Sequence, residues 1–154
     1  MKKYELTNET KTLAGGTVLH RIRALRDIPR FGVKAGELGG FVEEENNLSQ
    51  DGDAWVFCNA NVYGNANVSS DAEVSGYADY MVIKNIWSSG RWFTYTSSNK
   101  KWAVGCFYGT GEELVAKAYK DSKLSGKCYE AIVHAVETIE AAKAEAKGES
   151  NGSK

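Results

Sequence analysis

Small apolar positions recur every six residues through the middle of the chain. Ala54, Ala60, Ala66, Ala72 and Ala78 stand in phase, and so do Val56, Val62, Val68 and Val74, with Tyr80 next. Asp53, Asn59, Asn65, Asp71 and Tyr77 precede the alanines; Gly52, Cys58, Gly64, Ser70 and Gly76 stand one position earlier still. Leu48 and Val42 extend the alanine phase backward, and Gly40 extends the glycine phase. The unit is small–Asn/Asp–Ala–x–Val–x. Its alanine and valine, two apart, point the same way from a short strand, and its Gly and Asn/Asp supply turns. Three such units make a coil of about 18 residues, so residues 42–80 predict about two coils of a parallel β-helix. Two coils bury little by themselves, so the flanking segments or a second copy of the chain are expected to cover the ends.

Either side, the period changes. Residues 4–34 are extended. From Thr17 to Leu25 the residues alternate, with Val18, His20, Ile22 and Ala24 on one side and Leu19, Arg21, Arg23 and Leu25 on the other. After Tyr80, three runs rich in aromatic and β-branched residues predict strands over 81–87, 91–96 and 101–107, separated by turns at Ser88-Ser89-Gly90 and at 97–100. Thr110 and Glu113 form a capping-box pair, so a helix should begin there and reach about 119–121. A second helix is expected from about 127 to 143, with Tyr129, Ile132, Val133, Val136 and Ile139 on one stripe. The expected fold is thus mainly β with C-terminal helices: a short parallel β-helix, a three-stranded antiparallel sheet and two helices. The expected divisions are an extended N-terminal cap (1–41), the β-helix (42–80), an α+β module (81–147) and a disordered tail (148–154).

Composition narrows the class. Hydrophobic residues at 42% and charged residues at 25% suit a soluble globular chain. No apolar run approaches the roughly 18 residues of a membrane span, and no apolar stretch follows Lys2 and Lys3 as in a signal peptide. The expectation is a cytoplasmic protein. Cys58, Cys106 and Cys128 are too few and too widely spaced for a disulfide framework or a zinc site, which suggests small buried hydrophobes. Charge is segregated. Residues 1–35 hold eight Lys/Arg against three Asp/Glu, residues 36–80 hold nine Asp/Glu and no Lys/Arg, and residues 81–154 hold eleven Lys/Arg against eight Asp/Glu.

Several segments together resemble small phage and prophage proteins. The resemblance is carried by His20-Arg21-Ile22-Arg23-Ala24-Leu25, by Gly36-Glu37-Leu38-Gly39-Gly40-Phe41-Val42-Glu43, by hexads such as Gly64-Asn65-Ala66-Asn67-Val68, and by Gly105-Cys106-Phe107-Tyr108-Gly109-Thr110 before an acidic helix start. It covers about residues 4–140. It implies a phage origin, a left-handed hexapeptide-type β-helix and a small C-terminal α/β module, and it carries no activity with it. This chain has fewer hexads than is usual in the group. It also has Ser88-Ser89-Gly90-Arg91 where the group often has Gly-Ser-Arg.

Four kinds of chemistry compete. A ligand site in the C-terminal module would use Ser88, Ser89, Arg91, Trp92, Thr94, Gly105, Gly109 and Thr110. It would combine hydroxyls, an arginine, a stacking surface and the free N–H groups of a helix start, and would suit a flat anion such as a nucleotide. The plainer alternative makes Gly109-Thr110 only a cap and the tryptophans only core. Acyl transfer, common on hexapeptide solenoids, would need His20 or His134 as base, and neither lies among the hexads. An acidic β-helix face could imitate nucleic acid before a host protein, or could simply be solvated. Arg21, Arg23, Arg26, Arg30 and Lys34 form a basic patch, but the chain as a whole is slightly acidic, so nucleic acid is not an expected partner. No phosphate-binding loop, dinucleotide fingerprint or catalytic motif is present. The reading carried forward is a non-enzymatic phage accessory protein without cofactor or metal, self-associating in the host cytoplasm. It would interfere with a host defence by sequestering a nucleotide-like signal or by blocking a host protein. The alternatives are an acyltransferase-like enzyme and a structural virion component.

Overall fold

The computed structural model describes residues 1–152. Ten strands and two helices form two packed halves. In the first, β1 (Tyr4–Thr12) and β2 (Val18–Ala24) make an antiparallel hairpin. β3 (Leu38–Val42) pairs antiparallel with β2 and parallel with β5 (Asn61–Val62), completing a sheet of order β1-β2-β3-β5. β4 (Trp55–Val56) and β6 (Glu73–Val74) form a separate two-stranded parallel ladder. In the second half, β7 (Tyr80–Lys84), β8 (Trp92–Thr96), β9 (Lys101–Val104) and β10 (Phe107–Gly109) form an antiparallel sheet of order β10-β9-β8-β7. α1 (Gly111–Asp121) and α2 (Lys123–Gly152) follow it.

The expected two-coil left-handed parallel β-helix is not the architecture found. The sheets are mainly antiparallel, and parallel pairing is confined to two ladders of two residue pairs each and the Leu48–Val68 bridge. The physical reason lies in strand length. Each hexad strand spans two residues, whereas β1, β2 and β3 span nine, seven and five and pair antiparallel across a tight hairpin and a loop. Those longer ladders set the pairing pattern, and the hexads fill in beside them. The repeat still predicts burial. Ala54, Ala60, Ala66 and Ala72 are at most 6% exposed, and Val56, Val62, Val68 and Val74 are fully buried. Each buried valine contributes about 1.5–3 kcal/mol. The phase ends at Val74, because Ala78 lies exposed in the 3-10 turn Tyr77–Asp79.

The N-terminal hairpin shares this core. Tyr4, Ile22, Ala24 and Ile28 lie in one cluster with the hexad alanines and valines. The Tyr4 hydroxyl donates to the Leu48 carbonyl at 2.7 Å, and the Tyr4 ring meets Trp55 edge-on. Simple alternation fails in β2, where Leu19 is buried as well as Ile22 and Ala24. Leu19 lies outside the cluster that holds Ile22 and Ala24, so it is covered on the other face of the strand.

The C-terminal sheet has four strands where three were expected. Gly105 and Cys106 form a two-residue turn, with Gly105 at φ +57°, and this folds the expected third strand into β9 and β10. Phe93, Tyr95 and Trp102 face the helices and meet Leu114, Ala118, Tyr129, Val133 and Val136. Ile139, on the same stripe of α2, is 43% exposed. α2 begins earlier than expected and runs on through Gly152; Ser153 and Lys154 lie outside the described residues. The cysteines are free but not buried: Cys58 and Cys106 are exposed and Cys128 is half-buried. Cys58 occupies a turn at φ +53°, the repeat position at which Gly52, Gly64 and Ser70 also adopt positive φ. No helix among the described residues is long and apolar enough to cross a membrane.

Candidate functional site

Alternation along β8 decides where the expected ligand residues go. Phe93 and Tyr95 turn toward the helices, so Trp92 and Thr94 lie on the opposite face, toward the hexads. Two clefts open there. One, of about 820 Å³, is lined by Tyr63, Tyr77, Tyr80 and Trp92, with Asn59, Asn61 and Asn65 among them. The other, of about 730 Å³, is lined by Ser49, Asp51, Asn65, Asn67, Ser70, Trp92, Thr94, Gly105 and Tyr108. Trp92 and Asn65 belong to both clefts. Trp92 is 43% exposed and so offers part of its indole to both clefts.

Specific hydrogen bonds join the hexads to the C-terminal sheet beside the clefts. The Asn67 N–H donates to the Thr94 hydroxyl at 3.0 Å, and the Glu73 N–H donates to the Ser98 hydroxyl at 2.8 Å. Asn99 donates to Asp71 at 2.9 Å and to the Tyr108 hydroxyl at 2.7 Å, while Arg30 pairs with Asp71 at 3.2 Å. This network ties the N-terminal segment, the hexads and the C-terminal sheet together. Burial pushes the Tyr80 phenol up to about 12, and its hydroxyl donates to the Asn61 carbonyl. Burial raises Tyr108 as well. Both phenols therefore stay neutral near pH 7.

The eight expected ligand residues separate into three places. Trp92, Thr94 and Gly105 line the clefts. Ser88, Ser89 and Arg91 line a smaller cavity beyond the β9–β10 turn. Gly109 and Thr110 line none of these spaces. At the helix start the capping box already occupies two N–H groups, those of Thr110 and Glu113. The Thr110 hydroxyl accepts from the Glu113 N–H at 3.2 Å, and the Glu113 carboxylate accepts from the Thr110 N–H at 2.8 Å. That backbone bond holds Glu113 below the usual carboxylate range, so the protein's own anion sits where a ligand's was expected.

Reading the sequence alone missed Asn65, Asn67, Tyr63, Tyr77 and Tyr80 as cleft residues. A signal existed. Tyr63 and Tyr77 place aromatics at hexad positions outside the buried alanine and valine phases, and they are 45% and 94% exposed. The charged candidates resolve differently. Arg21 pairs with Glu9, Arg23 with Glu5, Arg26 with Asp53, Arg30 with Asp71 and Lys34 with Asp27. The basic patch is neutralised, and three acids of the acidic middle, Glu45, Asp53 and Asp71, are paired with N-terminal cations. His20 lies on β2 with its ring near the Thr7 carbonyl, and His134 is exposed on α2; neither lines a cleft. No protein-family model and no curated protein sequence matches the chain.

Proposed function

We propose that this chain acts by binding: it captures a small, flat, nucleotide-like molecule in the clefts around Trp92. The observation that carries the proposal is Trp92 itself, a half-exposed indole forming a shared wall of two clefts. Base–aromatic stacking contributes about 1–3 kcal/mol per base, and the surrounding amides and hydroxyls match the donors and acceptors on a base edge. The 820 Å³ cleft has no charged lining residue, and the 730 Å³ cleft has only Asp51. These linings favour the base and sugar of such a ligand over its phosphates. Lys84 places its ammonium 5.8 Å from the Trp92 ring centroid.

The same reading takes the protein as a non-enzymatic phage accessory that removes a host defence signal in the host cytoplasm. The resemblance to phage proteins supports that setting. A homo-oligomer belongs to the proposal too, since β1 and β10 are each the last strand of a sheet. Native mass spectrometry tests the proposal directly. Wild-type protein incubated with a panel of nucleosides and nucleotides should gain an unmodified small molecule, and Trp92→Ala should not. A ligand that binds both proteins equally, or no ligand at all, would overturn the reading.

A further inference from the structure

We propose that the cavity beside Arg91 is a pocket for one phosphate-like oxyanion, separate from the clefts at Trp92. It measures about 160 Å³, the liquid share of about five waters. It lies between the β7–β8 connection and the two helices. The turn holding Cys106 separates it from the larger clefts, and Trp92 does not line it.

The cavity has a built polar floor. Asn85, Ser125 and Tyr129 line it and are 3%, 7% and 7% exposed. Asn85 is fixed in place: its Oδ1 accepts from the Trp87 and Ser88 N–H groups, and its Nδ2 donates to the Ser88 hydroxyl at 3.0 Å. Ser125 and Tyr129 stand four apart on α2, so their hydroxyls share one face. Ser125 is 7% exposed, yet its hydroxyl is not among the sealed, unpaired polar atoms, so it is reached from the cavity that the residue lines.

The rim is cationic. Arg91 and Lys117 line it, and neither forms an ion pair with a described residue. That sets them apart from the paired N-terminal arginines. The Arg91 guanidinium lies over the β9–β10 turn: a Cβ added to Gly105 would stand 3.2 Å from its Nη1. Asp121 is the one acid in the lining and opposes the two cations. The first turn of α2 adds partial positive charge beside Ser125, and the last turn of α1, at Ala118 and Asp121, adds partial negative charge to the same cavity. The Asn85 amide is committed to Ser88 and Tyr129, so two cations without ion pairs, the Ser125 and Tyr129 hydroxyls and room for one tetrahedral group are what suit phosphate-like chemistry.

The phosphate could be free or part of a larger molecule, and the test separates the two. Inorganic phosphate is titrated into isotope-labelled protein and followed by amide shifts. Shifts should concentrate at Ser88, Arg91, Lys117 and Ser125. Arg91→Gln should weaken binding about tenfold or more, and Ser125→Ala severalfold, as expected for lost charge-assisted and neutral hydrogen bonds. Trp92→Ala should leave phosphate binding unchanged, so this result stands whether or not the cleft proposal holds. A nucleoside monophosphate that matches inorganic phosphate in affinity and shifted residues indicates a free oxyanion. One that binds much more tightly and also shifts cleft residues indicates the phosphate group of a larger ligand. Absence of shifts at millimolar phosphate, or equal affinity in Arg91→Gln, would overturn the pocket.

Discussion

The backbone N–H of Asn67 donates to the Thr94 hydroxyl at 3.0 Å, joining the extended part of a hexad to the centre of the C-terminal sheet. Thr94 is 1% exposed, so no water replaces this bond if it is lost. The bond also sits in the wall of the 730 Å³ cleft. Thr94→Val keeps the shape and removes the acceptor. It should destabilise the fold by about 1–3 kcal/mol, the cost of an unpaired donor, while Thr94→Ser should retain most of the stability. Urea unfolding of the three proteins measures the difference.

Trp92 is the residue whose loss should separate function from stability. Half-exposed and outside both core clusters, it should cost less than about 1 kcal/mol of stability on replacement by alanine. Binding of a nucleoside-like ligand should weaken at least about tenfold, from the lost stacking. Fluorescence titration of the wild type and calorimetry of both proteins would read the change.

Lys3 should make stability depend on pH in an unusual direction. It is fully buried, with Nζ donating to the Ala54 carbonyl at 2.7 Å. Burial, reinforced by Arg26, lowers it from 10.5 to about 8. A depressed base binds fewer protons folded than unfolded over this interval, so stability should rise as pH climbs from about 8 toward 10. Below that window its buried charge weighs against folding in full. Above about 10 the buried Tyr4, Tyr80 and Tyr95, all raised by burial, act the other way, because the unfolded phenols ionise first. Lys3→Met should flatten the rise between about pH 8 and 10 in denaturant midpoints. An unchanged slope would remove Lys3 as its cause.

Two glycines of the hexad phase should respond differently to the same change. Gly52 and Gly64 have φ of +69° and +65°. A Cβ on Gly64 meets nothing within 4 Å, so Gly64→Ala should cost only the left-handed strain of roughly 1–2 kcal/mol. A Cβ on Gly52 would stand 2.4 Å from the Ser70 carbonyl oxygen, a backbone atom that cannot turn aside. Gly52→Ala should be clearly the more destabilising. Thermal melts of the pair would decide it.

Thr110 caps α1 and holds no ligand in this account. Thr110→Ala should cost about 1 kcal/mol of stability, with Thr110→Ser close to wild type. Ligand and phosphate binding should be unaffected by either. Altered phosphate binding in Thr110→Ala would place the helix start in the site after all.

Much of the local structure could be read before folding was considered. The hexad phase identified the buried alanines and valines, because a side chain's direction alternates strictly along an extended backbone. The Thr110–Glu113 pair marked the first helix, because capping is a contact between residues three apart. The aromatic runs marked the C-terminal strands. The expected β-helix failed because a repeat specifies which side chains turn inward but not which backbone pairs with which. Pairing depended on the hairpin β1–β2 and its extension through β3, whose ladders are longer than any hexad strand.

For the candidate sites the division is sharper. Ser88, Ser89, Arg91, Trp92 and Thr94 are close in sequence and were expected to act together. Neighbours in a strand face opposite ways, so the sheet sent Trp92 and Thr94 toward the hexads and left Arg91 over the β9–β10 turn. Ser125 and Tyr129, a helix away, joined Arg91 instead. The clefts exist only because the two halves meet through contacts such as Asn67–Thr94 and Asn99–Asp71, which link residues 27 and 28 positions apart. Turns, the helix cap and the inward-facing residues are legible along the chain because they follow from local geometry. Strand partners and the grouping of site residues are not, because they follow from packing between distant segments.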